Sequence, residues 1–391
     1  MQYDFLTPGR VLFGWGRRRE LPEIVQGVGS RALLVTGARA LEKSGAITEL
    51  LASLESAGLS ARLLGRSSGE PTVSEVDALV ARLRQEGVQA GDVIVAVGGG
   101  SAIDLAKAVA GLITNAEPGV SVAEFLEGPE QRQKIVKAPL PVVALPTTGG
   151  TGAEATKNAV ISTAEPPFNK RSLRSEWLLP RAVIIDPELS VSVSPQVTAW
   201  TGMDAITQCI ESYVSRRAQP IPQALALDGL RVAVPGLPTA VRDGSDRPAR
   251  EALAHAAYLS GVALANSGLG LAHGVAAALG AQHCVPHGLA CAMLLPKAMR
   301  FNLSARASEF ATLGRIMTGQ SWSSDATAAE AGMIRIEKLS AEIRIPGRLS
   351  EVGVRREHLP KLVVGSRGNS LNGNPRDVSD GQLHDLLEEM L

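Results

Sequence analysis

Three sets of residues have types and spacings that can do chemistry. Asp204 in WTGMDAITQCIESY, His273 in GLGLAHG and His287 in VPHG are polar side chains set among small or apolar neighbours. A carboxylate and two imidazoles brought together from different helices fit a zinc or ferrous ion that keeps a position open for a substrate oxygen. Taken singly, each is more often a satisfied buried polar group or a helix cap than a ligand, and spacing alone does not show that they converge. Gly98, Gly99, Gly100 and Ser101 follow the run DVIVAV and lead into SAIDLAKAVAGLI, a strand-to-helix turn. Glycine there lets the backbone approach a pyrophosphate, and the N–H groups and positive end of the helix favour the anion. The turn is not a GxGxxG, and a tight turn without a ligand has the same composition. The segment PTTGGTGAEAT, residues 146–156, follows a second buried run, so that Thr147, Thr148 and Thr151 would line a nucleotide or substrate cleft at the carboxyl ends of parallel strands.

The elements that position these residues change character along the chain. RALLVTG, ARLLG, DVIVAVGGG and PVVALP alternate with amphipathic helical stretches, and runs such as VIVAVG are apolar at successive positions. That pattern predicts parallel strands buried on both faces, hence a doubly wound α/β sheet. After about residue 195 the segments become long, helical and rich in Ala and Leu, so the expected domains are a nucleotide-binding α/β domain over 1–193 and an all-helical metal and substrate domain over 194–391. With 39 Lys+Arg against 39 Asp+Glu the formal charge is zero, which argues against nucleic-acid and anionic-membrane partners. No apolar stretch reaches the roughly 20 residues of a bilayer span, and Asp4 interrupts any signal-peptide-like start, so the expected location is the cytoplasm. Cys209, Cys284 and Cys291 form no CxxC pair and are expected as reduced thiols.

Taken together, GGGSAIDLAKAVA, PTTGGTGAEAT, the GMDA segment, GLGLAHG…VPHGLACAMLLP and the late NPR at 374–376 resemble the iron-containing (group III) alcohol dehydrogenases over essentially the whole chain. The resemblance implies an N-terminal nucleotide-binding domain, a helical C-terminal domain and an active site in the cleft between them. It implies that Gly98, Gly99, Gly100 and Ser101 bind the cofactor pyrophosphate, that Asp104 closes that turn, that Thr147, Thr148 and Thr151 lie against the cofactor, and that Lys170 contacts it. It further implies a homodimer, with YDFLTPGRVLFGWG pairing across two chains.

Three departures from the family pattern bear on mechanism. Members coordinate the metal through one Asp and three His, and the first His lies four residues after the Asp; that position is Gln208 here, a weak neutral oxygen donor. Asp204, His273 and His287 still suffice for Zn2+ or Fe2+. A relay histidine found in many members is Ala277, and His283, four residues before His287, is a substitute only if its segment is helical there. In NAD-preferring members the first strand ends in an Asp; here Gly37 stands there with Arg39 two residues on, so NAD(P)H is expected with NADPH favoured. The expected reaction is hydride transfer between the nicotinamide and a small alcohol or aldehyde whose carbonyl a divalent metal polarises. The alternatives are a metal-free carbonyl reductase resembling the maleylacetate reductases, a lyase that uses bound NAD transiently, and a non-catalytic nucleotide-binding relative.

Overall fold

The computed structural model describes residues 2–37, 41, 44–67, 69–128, 131–163 and 170–391. The chain forms two compact units, one of residues 6–148 and 153–192, the other of 1–5, 149–152 and 193–391.

The first unit holds strands β1 (Val11–Phe13), β2 (Arg31–Thr36), β3 (Ser60–Arg66), β4 (Asp92–Gly98), β5 (Val142–Pro146) and β8 (Ala182–Ile185) in one parallel sheet of order β1-β8-β5-β4-β2-β3. Helices α1 (Leu21–Gln26), α2 (Ala46–Ser56), α3 (Val73–Glu86) and α4 (Gly100–Asn115) accompany it. Alternation along the strands sorts the side chains onto two faces. Leu33, Val35, Ile94, Ala96 and Ala144 join α3 and α4 in one core, whereas Ala32, Leu34, Val95, Val97 and Val143 join α1 and α2 in another. This is the doubly wound arrangement that the continuous apolar runs predict. The sequence reading did not anticipate the antiparallel ribbon of β6 (Asn158–Ser162) and β7 (Lys170–Arg174), whose burial alternates along β6. The chain steps from β2 outward to β3 and then back past β2 to β4, which places a topological switch point between β2 and β4.

The second unit is helical: α5 (Pro195–Val214), α6 (Pro220–Arg242), α7 (Arg247–Ser267), α8 (Leu271–His283), α9 (His287–Asn302), α10 (Ala307–Thr318), α11 (Asp325–Glu342), α12 (Leu359–Gly365) and α13 (Asp380–Glu388). Helix α5 starts where Pro195 occupies the first turn and Ser194 accepts the N–H of Val197 at 3.3 Å, a standard cap that satisfies one of the four orphan donors. Helix α6 corrects one expectation, because its length and composition are sufficient for a bilayer span. Its fully buried Leu230, Val234 and Leu237 belong to the core shared with α5 and α7, so packing against neighbouring helices accounts for that apolarity.

Candidate functional site

Four side chains of the helical unit converge: Asp204, His273, His287 and Cys291 present ligand atoms all within 4.8 Å of one another. Asp204 lies in the middle of α5, His273 in the first turn of α8, and His287 opens α9 with Cys291 one turn on. His273 Nε2 is 3.2 Å and His287 Nε2 4.0 Å from the same atom, Asp204 Oδ1, and Cys291 Sγ is 3.7 Å from His287 Nε2. Asp204, His273 and Cys291 are buried, while the His287 side chain keeps 36% of its surface exposed and is the solvent-facing member of the four.

The sequence reading missed Glu211, which holds this arrangement. Its Oε2 lies 2.7 Å from His273 Nδ1, and its carboxylate also accepts the N–H groups of Gly270 at 2.9 Å and Ala272 at 2.6 Å. No side chain of Gly270 caps α8, so a carboxylate from another helix satisfies the orphan donors and sits at the positive end of the dipole. Because that carboxylate only accepts, His273 Nδ1 carries the proton, and in the neutral ring Nε2 turns a lone pair toward Asp204. Two acceptors facing each other at 3.2 Å are satisfied by a cation between them or by a second proton on the ring. The signal for Glu211 was available: it lies seven residues after Asp204, two turns along one helix face. Asn374, from the NPR segment, accepts the N–H of Leu271 at 3.1 Å and exchanges amide hydrogen bonds of 2.8 Å with Asn302. That motif therefore braces the helix bearing His273.

Electrostatics bind the cluster together. Burial acts to lower the His273 pKa, but Cys291, Asp204 and Glu211 outweigh it and raise the value well above the ordinary one. Burial acts to raise the Asp204 pKa, and the two histidines and Cys291 reverse that, so the carboxyl is held below its usual range. Cys291 is foremost in raising His287, with burial opposing and Asp204 assisting.

Other expected residues fall elsewhere. Gln208 shares the buried face of α5, but its Oε1 accepts the Ser260 hydroxyl at 2.6 Å and its Nε2 donates to the Thr151 carbonyl at 3.3 Å. Its carbonyl oxygen is thus engaged away from a ligand role. His283 is not in the cluster: α8 ends there, and Cys284 follows in the left-handed region at φ 55°, so 283 and 287 lie on separate helices and the expected one-turn relation is lost. The His283 ring instead meets His358 at 4.6 Å between centroids.

In the sheet unit, Gly37 and Gly98 sit side by side at the switch point, where Gly37 N–H donates to Val97 O at 3.1 Å. A Cβ at Gly98 would come within 2.9 Å of Gly37 N, and one at Gly99 within 3.3 Å of Thr148 Oγ1. Thr147 N–H donates to Gly98 O at 3.0 Å, and no side chain caps Gly99 at the start of α4, where Gly100 and Ser101 form the first turn. Arg39 lies outside the described residues. Thr151 belongs to the helical unit, and the glycines around it serve packing there: a Cβ on Gly150 would meet Thr201 at 2.5 Å, and Gly152, at φ +60°, approaches Gly261. Asp104 does not close the glycine turn; it accepts the Val160 N–H at 3.1 Å and so ties α4 to the ribbon. One turn on, the fully buried Lys107 donates to Ala153 O at 3.0 Å, Thr156 O at 2.7 Å and Asn158 O at 2.5 Å. Burial brings its pKa down to about 8 and that of Asp104 up to about 6. The Lys170 ammonium is paired with Glu70 at 2.5 Å.

Residues 8–187 match the iron-containing alcohol dehydrogenase family and residues 198–391 its C-terminal region. The chain is 36% identical over 380 residues to a probable alcohol dehydrogenase, EutG, of Escherichia coli K12, covering 97% of this chain and 92% of that one. It is 33% identical to an NAD-dependent methanol dehydrogenase of Bacillus methanolicus, covering 99% and 100% of the two chains. The crystal structure of a 1,3-propanediol oxidoreductase superposes with a TM-score of 0.92 at 33% identity over 100% of both chains. That of an alcohol dehydrogenase from Oenococcus oeni gives 0.91 at 30%, again over 100% of both. The chain belongs to the iron-containing alcohol dehydrogenase family. It is accordingly an oxidoreductase that interconverts alcohols and aldehydes with a nicotinamide cofactor, in a family whose reaction depends on a divalent metal. The residues present fit such a metal. A tetrahedral site has donor–donor edges of about 3.4 Å between N and O and about 3.6 Å between N and S, against the observed 3.2, 4.0 and 3.7 Å.

Proposed function

We propose that this dehydrogenase reduces short, polar aldehydes, or oxidises the matching alcohols, with Asp204, His273 and His287 holding one zinc or ferrous ion beside the substrate. The observation that carries this reading is the shared approach of both imidazole Nε2 atoms to Asp204 Oδ1. When bound, the divalent ion supplies Lewis acidity toward the substrate oxygen. The chain's own residues do the rest. Glu211 fixes the His273 tautomer and keeps Nε2 free to ligate. His287, partly exposed, offers the side from which a substrate oxygen arrives. Burial of Asp204 and His273 excludes water and strengthens the local field.

The turn Gly98–Ser101, with Thr147 and Thr148, takes the cofactor pyrophosphate, and Asp104 and Lys107 hold the helix that presents it. Gly37 in place of an acidic residue supports use of NADPH beside NADH, since nothing at that position repels a 2′-phosphate. We read the active form as a homodimer joined along β1, an edge strand whose Val11 and Phe13 are each 36% exposed. A cytoplasmic setting would keep the three thiols reduced.

Gln208, bonded to Ser260 and Thr151, favours one second reading, a metal-free carbonyl reductase in which His273 and His287 hold the substrate oxygen by hydrogen bonds. Metal analysis of the purified protein, run beside NADPH and NADH oxidation before and after a strong chelator, separates the two. About one metal per chain and chelator-sensitive turnover is the expected result, with both lost in Asp204→Ala. Full turnover in a metal-free preparation would establish the second reading.

A further inference from the structure

We infer that Cys291 is a metal ligand of this chain, so that Asp204, His273, His287 and Cys291 form a mixed oxygen, nitrogen and sulfur set that favours zinc over iron. The inference rests on the proposal that Asp204, His273 and His287 bind a metal. Gln208 stands where the family pattern has a third histidine, and its amide is occupied by Ser260 and Thr151. The missing donor is supplied from another helix.

Helical spacing puts Cys291 one turn after His287 on the same face of α9, which aims both side chains at Asp204. The sulfur lies 3.7 Å from His287 Nε2, close to the edge of about 3.6 Å expected when thiolate and imidazole share a tetrahedral ion. A structural cysteine behaves as a small hydrophobe and packs among apolar groups, as Cys209 does in the helical core. Cys291 also borders an apolar core, but its sulfur in addition lies in a group with a carboxylate and two imidazoles, all four ligand atoms within 4.8 Å. Neither Cys209 nor the exposed Cys284 belongs to such a group among the described residues.

Ligation forms a metal–sulfur bond and breaks the S–H bond, and the proton passes to solvent; no electron is transferred. The soft thiolate raises the site's preference for zinc. It also changes the charge. A divalent ion with one carboxylate and neutral imidazoles carries one net positive charge, and a thiolate cancels it. A substrate oxygen would then face a neutral site, with a gentler pull than a set of one carboxylate and three imidazoles would exert.

The test loads the metal-stripped enzyme with cobalt(II) and reads bound metal, the near-ultraviolet thiolate-to-cobalt absorption band, and zinc affinity by chelator competition. Wild type and Cys284→Ser should bind about one cobalt per chain and show the band. Cys291→Ser, nearly isosteric, should still bind metal through the other three residues but lose the band. Its zinc affinity should fall at least about tenfold, since removing even an outer partner of a ligand costs about 10–100-fold, and its zinc-over-iron preference should shrink. Circular dichroism and melting of the variant establish that it folds. Wild type that binds one cobalt without the band, or Cys291→Ser that keeps band and affinity, overturns the inference while leaving the Asp204 site standing. Wild type that binds no more cobalt than Asp204→Ala overturns both.

Discussion

Nδ1 of His273 lies 2.7 Å from Oε2 of Glu211. With Asp204 3.2 Å from the other ring nitrogen, the imidazole is gripped at both ends by carboxylates of one helix. Glu211→Gln leaves the metal-facing atoms in place and removes the charge that fixes the tautomer. Metal affinity should drop by about 10–100-fold, read by chelator competition. Glu211→Ala should in addition lower the melting temperature, because buried N–H groups at the start of α8 lose their acceptor at about 1–3 kcal/mol each. Unchanged affinity in Glu211→Gln would remove Glu211 from the positioning of the site.

Gly37 faces the turn that would bear the cofactor, and a Cβ there would stand 3.7 Å from Gly98 Cα, an ordinary contact. Gly37→Asp is therefore sterically admissible and acts through charge. We expect kcat/KM with NADPH to fall at least about tenfold further than with NADH, about 1.4 kcal/mol of discrimination. Equal losses for the two cofactors would mean that position 37 does not approach the 2′ position.

Gln208 and Asp204 lie one turn apart on the buried face of α5. Gln208→His gives up the 2.6 Å bond from Ser260 and offers an imidazole to the cluster. Ferrous-ion affinity should rise relative to zinc, measured by competition between the two metals. No shift in that ratio would show that side chains at 208 stop short of the metal.

Burial raises the Glu154 carboxyl to about 7 from an ordinary 4.5, with Lys107 opposing. A carboxyl whose pKa is higher in the folded state stabilises the fold below its unfolded value, and that contribution is lost as pH rises toward 7. Wild type should therefore lose roughly 3 kcal/mol between pH 4.5 and 7 relative to Glu154→Gln, at 1.36 kcal/mol per unit. Denaturant melts of both proteins across that window check this, and parallel curves would count against it.

Much of this was legible in the residues. Continuous apolar runs such as VIVAVG became β4, buried along its whole length, because a strand covered on both faces has no polar side to show. Asp204, His273 and His287 stood out as polar residues in apolar helices. Cys291 did not, because a cysteine in LACAMLL reads as core. His283 was a substitute only if an unbroken helix joined it to His287, and the left-handed residue Cys284 interrupts that helix. Asp104 was expected to close the glycine turn, and only the position of β6 shows that it ties α4 to a ribbon. The failures at Cys291 and Asp104 share a cause. Contacts between residues far apart in sequence leave no local period to read.

Residues 149–152 leave the sheet unit, pack with the helices and return. Gly150 and Gly152 fill hollows against Thr201 and Gly261 that leave no room for a Cβ, and Gly149 packs closely on Leu253. The helical unit therefore includes a short stretch drawn from within the sequence of the sheet unit. A protein severed at residue 193 would deprive the helical half of a four-residue plug, exposing the backbone of α7 around Gly261 and leaving Gln208 without the Thr151 carbonyl. The helical unit is therefore to be truncated or recombined with relatives only along boundaries that carry this plug with the helices.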